Sequence, residues 1–203
     1  MESNSNQMVL DVLREIGNIG AGNAATALSS MINKKVDMSV PKVNVLSLSE
    51  VPGILGGEEN KVVGIFFKLV GEVEGTIMFV VTTESAKILV DFIAPGMDLD
   101  IESEFGVSAL REIGNILSGS YISSLCGLTN LDIQISTPSL SLDMAGAILS
   151  VPAIEFGMIG DTVLIIQNDF FDDVTSKNIE GYFFLIPDED SFNVLLKSLG
   201  LSV

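Results

Sequence analysis

Two stretches of the chain carry the same polar residues at the same spacing. The string Leu-Arg-Glu-Ile-Gly-Asn-Ile occurs at Leu13–Ile19 and again at Leu110–Ile116. The match extends to four equivalent positions, 97 residues apart, which are Asp11, Glu15, Asn18 and Gly22 in the first copy and Ser108, Glu112, Asn115 and Gly119 in the second. The chain is therefore an internal duplication, and each copy offers one carboxylate and one carboxamide close together.

This Glu–Asn pair is suited to placing a water molecule at a phosphoryl group. On an α-helix the steps between the four positions keep them within an arc of roughly 60°. A carboxamide can accept a hydrogen bond from water and donate one to a phosphoryl oxygen, so it can hold a nucleophilic water in line. Phosphoryl transfer depends mainly on such positioning and on charge stabilisation. The carboxylate contributes little as a base, but it can pair with a cation on a phosphorylated partner.

The recurrence of the pair is what favours a function, because a single Glu-x-x-Asn on a helix is commonly a solvated surface. Inside a helix, Asn costs up to ~0.7 kcal/mol relative to Ala, and Gly roughly 0.8–1 kcal/mol. Keeping these residues in both copies indicates a face that admits something close to the backbone. Gly22 and Gly119 share the arc of the polar pair, which favours approach of a partner. Gly17 and Gly114 fit tight intramolecular packing equally well.

Composition excludes several classes of partner and mechanism. The formal net charge is −17, so nucleic acid and anionic membrane surfaces would be repelled. The chain has no histidine, which removes Ser-His-Asp and Cys-His catalysis and most zinc sites. A metal-dependent hydrolase is disfavoured because there is no dense carboxylate motif. Asp169–Asp173 is expected to be a solvated loop, and the single Cys126 a buried small apolar residue without an adjacent base.

The chain shows no targeting or membrane-spanning segment. The longest apolar candidate, around Ala145–Ile159, is interrupted by Ser150, Pro152 and Glu155. Met1–Met8 is polar and has no basic residue before an apolar run, unlike a secretory signal. A lone cysteine fits a reducing compartment. We therefore expect a cytoplasmic protein without membrane insertion.

Periodicity predicts the same order of elements in each half. Apolar residues at helical spacing predict helices from about Val9 to Asn33 and from about Glu104 to Asn130. In the first helix, the residues expected to face inward are Leu10, Leu13, Ile16, Ile19, Ala24, Leu28 and Met31. The strand predictions are Val43–Leu48, Val62–Leu69, Thr76–Thr82, Thr162–Asn168 and Gly181–Ile186. Closing helices are predicted at Glu84–Ile93 and Ser191–Leu199, with Thr82/Thr83 and Asp188–Asp190 able to cap them.

These elements predict an α/β (α+β) fold with pseudo-two-fold symmetry. One domain, residues 1–203, would contain two repeats, at about 9–96 and 104–200. Strands of both halves would join one sheet, antiparallel within each hairpin, with the two long motif-bearing helices on one side. Strand order does not follow from this pattern.

The motif residues resemble the signature of a known family. The pattern Asp/Ser-x-x-x-Glu-x-x-Asn-x-x-x-Gly is similar to that of the CheC, CheX and FliY family of chemotaxis phosphatases, and both copies match it in full. The run from Leu13 to Ala25 is especially similar to the CheC type, and the likeness covers nearly the whole chain. Two intact motifs fit the CheC type better than the CheX type, which has one active motif per chain and dimerises.

The resemblance implies dephosphorylation of the response regulator CheY. It implies that Asn18 and Asn115 position the water, that Glu15 and Glu112 contact the regulator's active-site lysine, and that Asp11, Gly22, Ser108 and Gly119 contact the partner. It implies no cofactor or metal of the chain's own, since Mg²⁺ belongs to the partner's phosphorylation site. It also implies binding to CheD, a receptor deamidase, and we expect a monomer when the chain is alone.

The alternative is a non-catalytic adaptor whose same face binds a response regulator or flagellar-switch protein. Intact Glu and Asn in both motifs favour the enzyme.

Overall fold

The duplication predicted from sequence is present in the order of the elements. The computed structural model describes residues 2–40, 42–156, 162–171 and 178–200. The first half contains α1 (Glu2–Ile32), β1 (Asp37–Ser39), β2 (Val43–Ser47), α2 (Val51–Ile54), β3 (Lys61–Gly71), β4 (Gly75–Thr82) and α3 (Thr83–Ile93). The second contains α4 (Glu104–Thr129), β5 (Ile133–Ile135), β6 (Ser139–Met144), α5 (Ala145–Phe156), β7 (Thr162–Phe171), β8 (Asn178–Pro187) and α6 (Glu189–Ser198). Each half is thus helix, two strands, helix, two strands, helix.

The ends of the helices follow the local signals in the sequence. Asn33 and Asn130 both have left-handed backbone conformations, with φ of 52° and 57°, which an Asn tolerates and which ends a helix. Thr82 and Asp188 cap α3 and α6, each accepting a hydrogen bond from the backbone N–H three residues later. α1 begins at Glu2 rather than near Val9, because apolar periodicity marks only the part of a helix that packs.

The eight strands in the described residues form one sheet shared by both halves, as predicted, and all of their pairings are antiparallel. The hairpins β3–β4 and β7–β8 lie side by side, with β4 paired to β8 at the centre. β1 and β2 pair with β7, whereas β5 and β6 pair with β3. The strands that follow each long helix therefore add to the hairpin of the opposite half, and this exchange joins the two repeats.

Alternation along the strands divides the interior into two layers. In the central pair, Phe79 lies opposite Phe183 and both face the layer of α1, α3, α4 and α6. Their neighbours Met78 and Phe184 face the opposite layer, which α2 and α5 cover. The two long helices do lie on one side of the sheet. The second layer was not predicted, because the segment of α5 is apolar on nearly every side and shows no helical period.

Some predictions about individual segments were wrong. Ile19 and Met31 were expected to face inward but are 38% and 39% exposed, since the helical spacing drifts off the buried face at these positions. Asp169 lies inside β7, opposite Glu180 in the ladder, rather than in a solvated loop; residues 172 and 173 lie outside the described residues. The three-residue strands β1 and β5 escaped prediction because they carry too few residues to establish alternation. The six-residue strand β6 was missed although serine or aspartate alternates with leucine or methionine along it.

A buried polar contact fixes α4 on the sheet. The Tyr121 ring packs so closely on α1 that a Cβ built on Gly20 would lie 2.4 Å from its Cδ1. The Tyr121 hydroxyl donates a hydrogen bond to Oδ1 of Asn168 on β7, and both residues are buried. Burial raises the pKa of the Tyr121 phenol far above its ordinary value, so the group stays a neutral donor.

The glycines of the two motif helices divide into packed and open positions. A Cβ on Gly17 would lie 3.0 Å from Cγ1 of Val40, and one on Gly114 would lie 2.8 Å from Cγ2 of Ile65. These two glycines therefore allow the helices to approach the rest of the fold closely. At Gly22 and Gly119 an added Cβ would meet no atom within 4 Å. Intramolecular packing does not account for these two.

The glycine contrast predicts opposite effects of the same substitution on stability. Gly22→Ala and Gly119→Ala should each raise the free energy of unfolding by up to ~1 kcal/mol, because alanine is the better helix former and the space is open. Gly114→Ala should lower it, because Ile65 must move. Urea unfolding of the three variants measures these changes in the free energy of unfolding. A destabilised Gly22→Ala variant would contradict the conclusion that the space around Gly22 is open.

The Tyr121–Asn168 contact predicts a second effect on stability. Tyr121→Phe should lower the free energy of unfolding by about 1–3 kcal/mol, because the buried Asn168 oxygen loses its donor. Tyr182→Phe is the matched control, since the Tyr182 hydroxyl donates to the exposed Glu180 carboxylate at 3.2 Å, which water can solvate instead. Equal losses in the two variants, measured by urea unfolding, would argue against a special role for the buried pair.

Candidate functional site

The Glu–Asn pairs lie on the outer faces of the two long helices. Glu15 and Asn18 on α1 and Glu112 and Asn115 on α4 are all exposed. Asp11, Gly22 and Ser108 are exposed as well, and Gly119 is half-buried. Both copies of the motif therefore present their polar groups to solvent, as the helical spacing predicted.

Packing on the opposite side of each helix sets this orientation. In α1, the neighbours Leu13 and Ile16 are buried in the core, and in α4 the equivalent Leu110 and Ile113 are buried likewise. These apolar residues alternate with the polar ones in the sequence at helical spacing. Rotation of either helix about its axis would expose the apolar residues and bury the carboxylate. The core thus determines which way the Glu–Asn pair points.

The four motif side chains are not engaged by the rest of the protein. Within the described ranges, neither Glu15 nor Asn18 makes a hydrogen bond or ion pair through its side chain, and the same holds for Glu112 and Asn115. Four polar ends held on rigid helices and left to solvent require little desolvation or rearrangement before they contact a partner.

The two copies differ at the position one turn before the glutamate. Asp11 accepts hydrogen bonds from Nε2 of Gln7 at 3.1 Å and from Nη1 of Arg14 at 3.0 Å. The second copy has Ser108 instead, and the described part of the chain places no carboxylate within salt-bridge distance of Arg111. The first face therefore carries one more carboxylate, which an adjacent guanidinium partly balances.

The motif residues lie on the outer surfaces of α1 and α4, where their glutamates and asparagines are exposed. Two concave regions in the described residues lie elsewhere. One is an apolar crevice whose lining includes Leu28, Phe92 and Phe170, and the other is a polar pocket of about 420 Å³ that includes Lys68 and Thr76. Neither is lined by a motif glutamate or asparagine. Side chains exposed on the outer face of a helix can enter a cleft on another macromolecule.

Geometry and burial decide whether other side chains could hold a metal ion or act as a nucleophile. The described residues contain no group of three or more Cys, Asp and Glu side chains that could hold a metal ion. The thiol of Cys126 is half-buried, with its sulfur 3.7 Å from the carbonyl oxygen of Ile133. Among these residues, no helix is both long and apolar enough to cross a membrane.

Sequence reasoning missed apolar residues that lie beside the motif on the outer face. Met8 and Phe105 are about half exposed and occupy equivalent positions in α1 and α4, and Ile19 is exposed next to Asn18. Periodicity assigns apolar residues to the core by default, so it cannot find those that face outward. The signal available was the 97-residue repeat, which places Met8 and Phe105 at the same position.

Comparison with known proteins agrees with the duplication. A model described as "CheC-like family" matches twice, at residues 8–45 and 105–142. The two matched segments have the same offset as the motif residues. Each contains one Glu–Asn pair.

Relatives match nearly the full chain. The CheY-P phosphatase CheC of Bacillus subtilis is 36% identical over 96% of this chain and 95% of its own length. A putative CheY-P phosphatase, CheC1 of Halobacterium salinarum, is 26% identical over 94% of this chain and 95% of its own length. The crystal structure of Thermotoga maritima FliY superposes with a TM-score of 0.73 at 20% identity, covering 94% of this chain and 95% of the chain in that structure. In sequence, internal repeat and fold, the chain belongs to the CheC-like family.

Proposed function

We propose that this protein is a phosphatase that hydrolyses the aspartyl phosphate of the chemotaxis response regulator CheY. The observation that carries the proposal is the pair of exposed, unengaged Glu–Asn faces, one on each long helix. The proposal is supported by the 36% identity to a protein named CheY-P phosphatase CheC. An exposed helical face, with no metal-binding cluster among the described residues, fits a reaction whose substrate is another protein's phosphorylated cleft.

In this mechanism the asparagine positions the nucleophile. Asn18 or Asn115 accepts a hydrogen bond from a water molecule through its amide oxygen and places that water opposite the carboxylate leaving group. The water oxygen forms a bond to phosphorus as the bond between phosphorus and the aspartyl oxygen breaks. The products are inorganic phosphate, which takes the water's proton, and the free aspartate. A loose transition state needs little help from a base.

The glutamate and the partner supply the remaining charge interactions. Glu15 or Glu112 pairs with the lysine of the regulator's phosphorylation site and so fixes the helix relative to the phosphoryl group. Mg²⁺ bound by the regulator would neutralise charge on the phosphoryl oxygens. Asp11 and Ser108 contact the regulator near the start of each face. Gly22 and Gly119 leave room for its backbone.

Further parts of the proposal rest on membership of the family. The protein acts in the cytoplasm, is a monomer when alone, and binds the receptor deamidase CheD. No surface on the chain is assigned to CheD.

Removing both asparagines should abolish stimulated hydrolysis. We expect Asn18→Ala/Asn115→Ala to lose roughly a hundred- to thousandfold in rate, the cost of losing one well-placed polar group in a transition state. Release of inorganic phosphate from phosphorylated CheY, with and without the protein, measures it. Each single variant should keep part of the activity if both faces work.

Asn23 offers a matched control for this experiment. It is also exposed on α1 but lies about 140° around the helix from Asn18. Asn23→Ala should keep the wild-type rate. Wild-type activity in the double variant would overturn the assignment, and binding of CheY without any stimulated release by the wild-type protein would favour the adaptor alternative.

Reversing the glutamate charge should weaken binding to the regulator. Glu15→Lys or Glu112→Lys would place a cation against the regulator's lysine, and the loss of affinity should be larger at low salt, where screening is weaker. Glu59→Lys changes the net charge equally in the exposed turn before β3, so it controls for long-range attraction. An equal defect in Glu59→Lys would show that only net charge matters.

A further inference from the structure

Two large apolar side chains extend the motif faces toward the N-terminal ends of the long helices. Met8 on α1 is 51% exposed and Phe105 on α4 is 45% exposed. The two residues are equivalent in the repeat, seven positions before Glu15 and Glu112. The residue type has changed between the copies, but large size, apolar character and exposure are common to both.

Helical geometry places these side chains on the same side as the catalytic pair. Seven residues rotate the helix by about 700°, so Met8 points within roughly 20° of Glu15 in projection, and Phe105 within roughly 20° of Glu112. The distance along the axis from Met8 to Asn18 is about 15 Å. Each face is therefore a continuous strip with an apolar side chain at one end and the water-positioning amide near the other.

Exposure alone does not mark a binding residue, since single apolar residues on a surface are common. The same two helices carry another exposed equivalent pair, Met31 and Leu128, at 39% and 41%. Met31 points about 160° away from Glu15 around the helix. The two pairs are alike in size, exposure and equivalence in the repeat. They differ in position, because only Met8 and Phe105 lie on the same side of the helix as the motif.

We infer that Met8 and Phe105 anchor the phosphorylated regulator to the two faces through an apolar contact. This inference rests on the proposed function and adds a requirement for the substrate. The regulator must present an apolar patch about 15 Å from its phosphorylated aspartate, on the side that meets the start of the helix. A regulator with a charged surface there would be a poor substrate even with its phosphorylation site intact.

The apolar contact would supply binding affinity that the polar motif residues do not. Glu15 and Asn18 act at the reacting centre, where the cost of removing water from an ion pair offsets much of its attraction. Burial of a large apolar side chain at the margin contributes affinity without touching the reacting atoms. Such a residue binds substrate and transition state equally, so its removal should raise KM and leave kcat nearly unchanged.

The test compares the two exposed pairs by the same substitution. Met8→Ala/Phe105→Ala should raise KM for phosphorylated CheY about 10- to 100-fold with kcat nearly unchanged. Met31→Ala/Leu128→Ala should keep the wild-type KM. Met8→Leu/Phe105→Leu should restore most of the affinity, because it returns an apolar side chain of similar size. Thermal unfolding checks that all variants are folded.

Binding of beryllofluoride-activated CheY, measured in parallel, separates failure of the inference from failure of the proposed function. If the wild-type protein stimulates hydrolysis but Met8→Ala/Phe105→Ala has an unchanged KM and Kd, the anchor is wrong and the phosphatase stands. If both double alanine variants lose affinity equally, the motif face has no special role and the anchor is wrong. If the wild-type protein neither hydrolyses nor binds, both proposals fall.

Discussion

The exchange of strands between the two halves is the constraint on which the rest of the structure depends. β1 and β2, which follow α1, complete the sheet beside β7, while β5 and β6, which follow α4, complete it beside β3. Each long helix is thus followed by strands held by the opposite repeat. The outer strands of each repeat have their pairing partners in the other repeat, so the two motif helices are held on one shared sheet.

The second constraint is the close packing of the two long helices on the sheet and on each other. Gly17 and Gly114 bring the motif helices against neighbouring apolar side chains, and Gly20 accommodates the Tyr121 ring between α1 and α4. Because glycine lowers helix stability, these positions are retained at a local cost that tertiary packing offsets. The result is a fixed rotation of each helix. That rotation, rather than any local hydrogen bond, keeps the glutamate and asparagine in solvent and ready for a partner.

Much of the fold and of the candidate site could be predicted because the sequence contains two copies of the same element, which can be compared with each other. The repeated Glu15–Asn18 and Glu112–Asn115 pairs identified the candidate face, and their helical spacing predicted its exposure. The central hairpin was predictable from two apolar runs rich in β-branched and aromatic residues on either side of Gly71–Gly75. The helix ends at Asn33 and Asn130 were predictable because asparagine is a helix stop signal. The exchange of strands between the two halves could not be predicted, because pairing between strands distant in sequence leaves no local pattern. Likewise Ile19, Met8 and Phe105 were missed, since periodicity cannot distinguish an apolar residue that packs inside from one that faces a partner.

In the proposed mechanism the active site is a composite of two proteins, with the amide from this chain and the phosphoryl group and metal from the regulator. The most direct test is a crystal structure of the protein bound to CheY whose aspartate carries beryllofluoride in place of the phosphoryl group. The account predicts the amide of Asn18 or Asn115 within about 3 Å of the beryllofluoride or linked to it by one water. A complex in which CheY docks with both asparagines outside its phosphorylation site would contradict it.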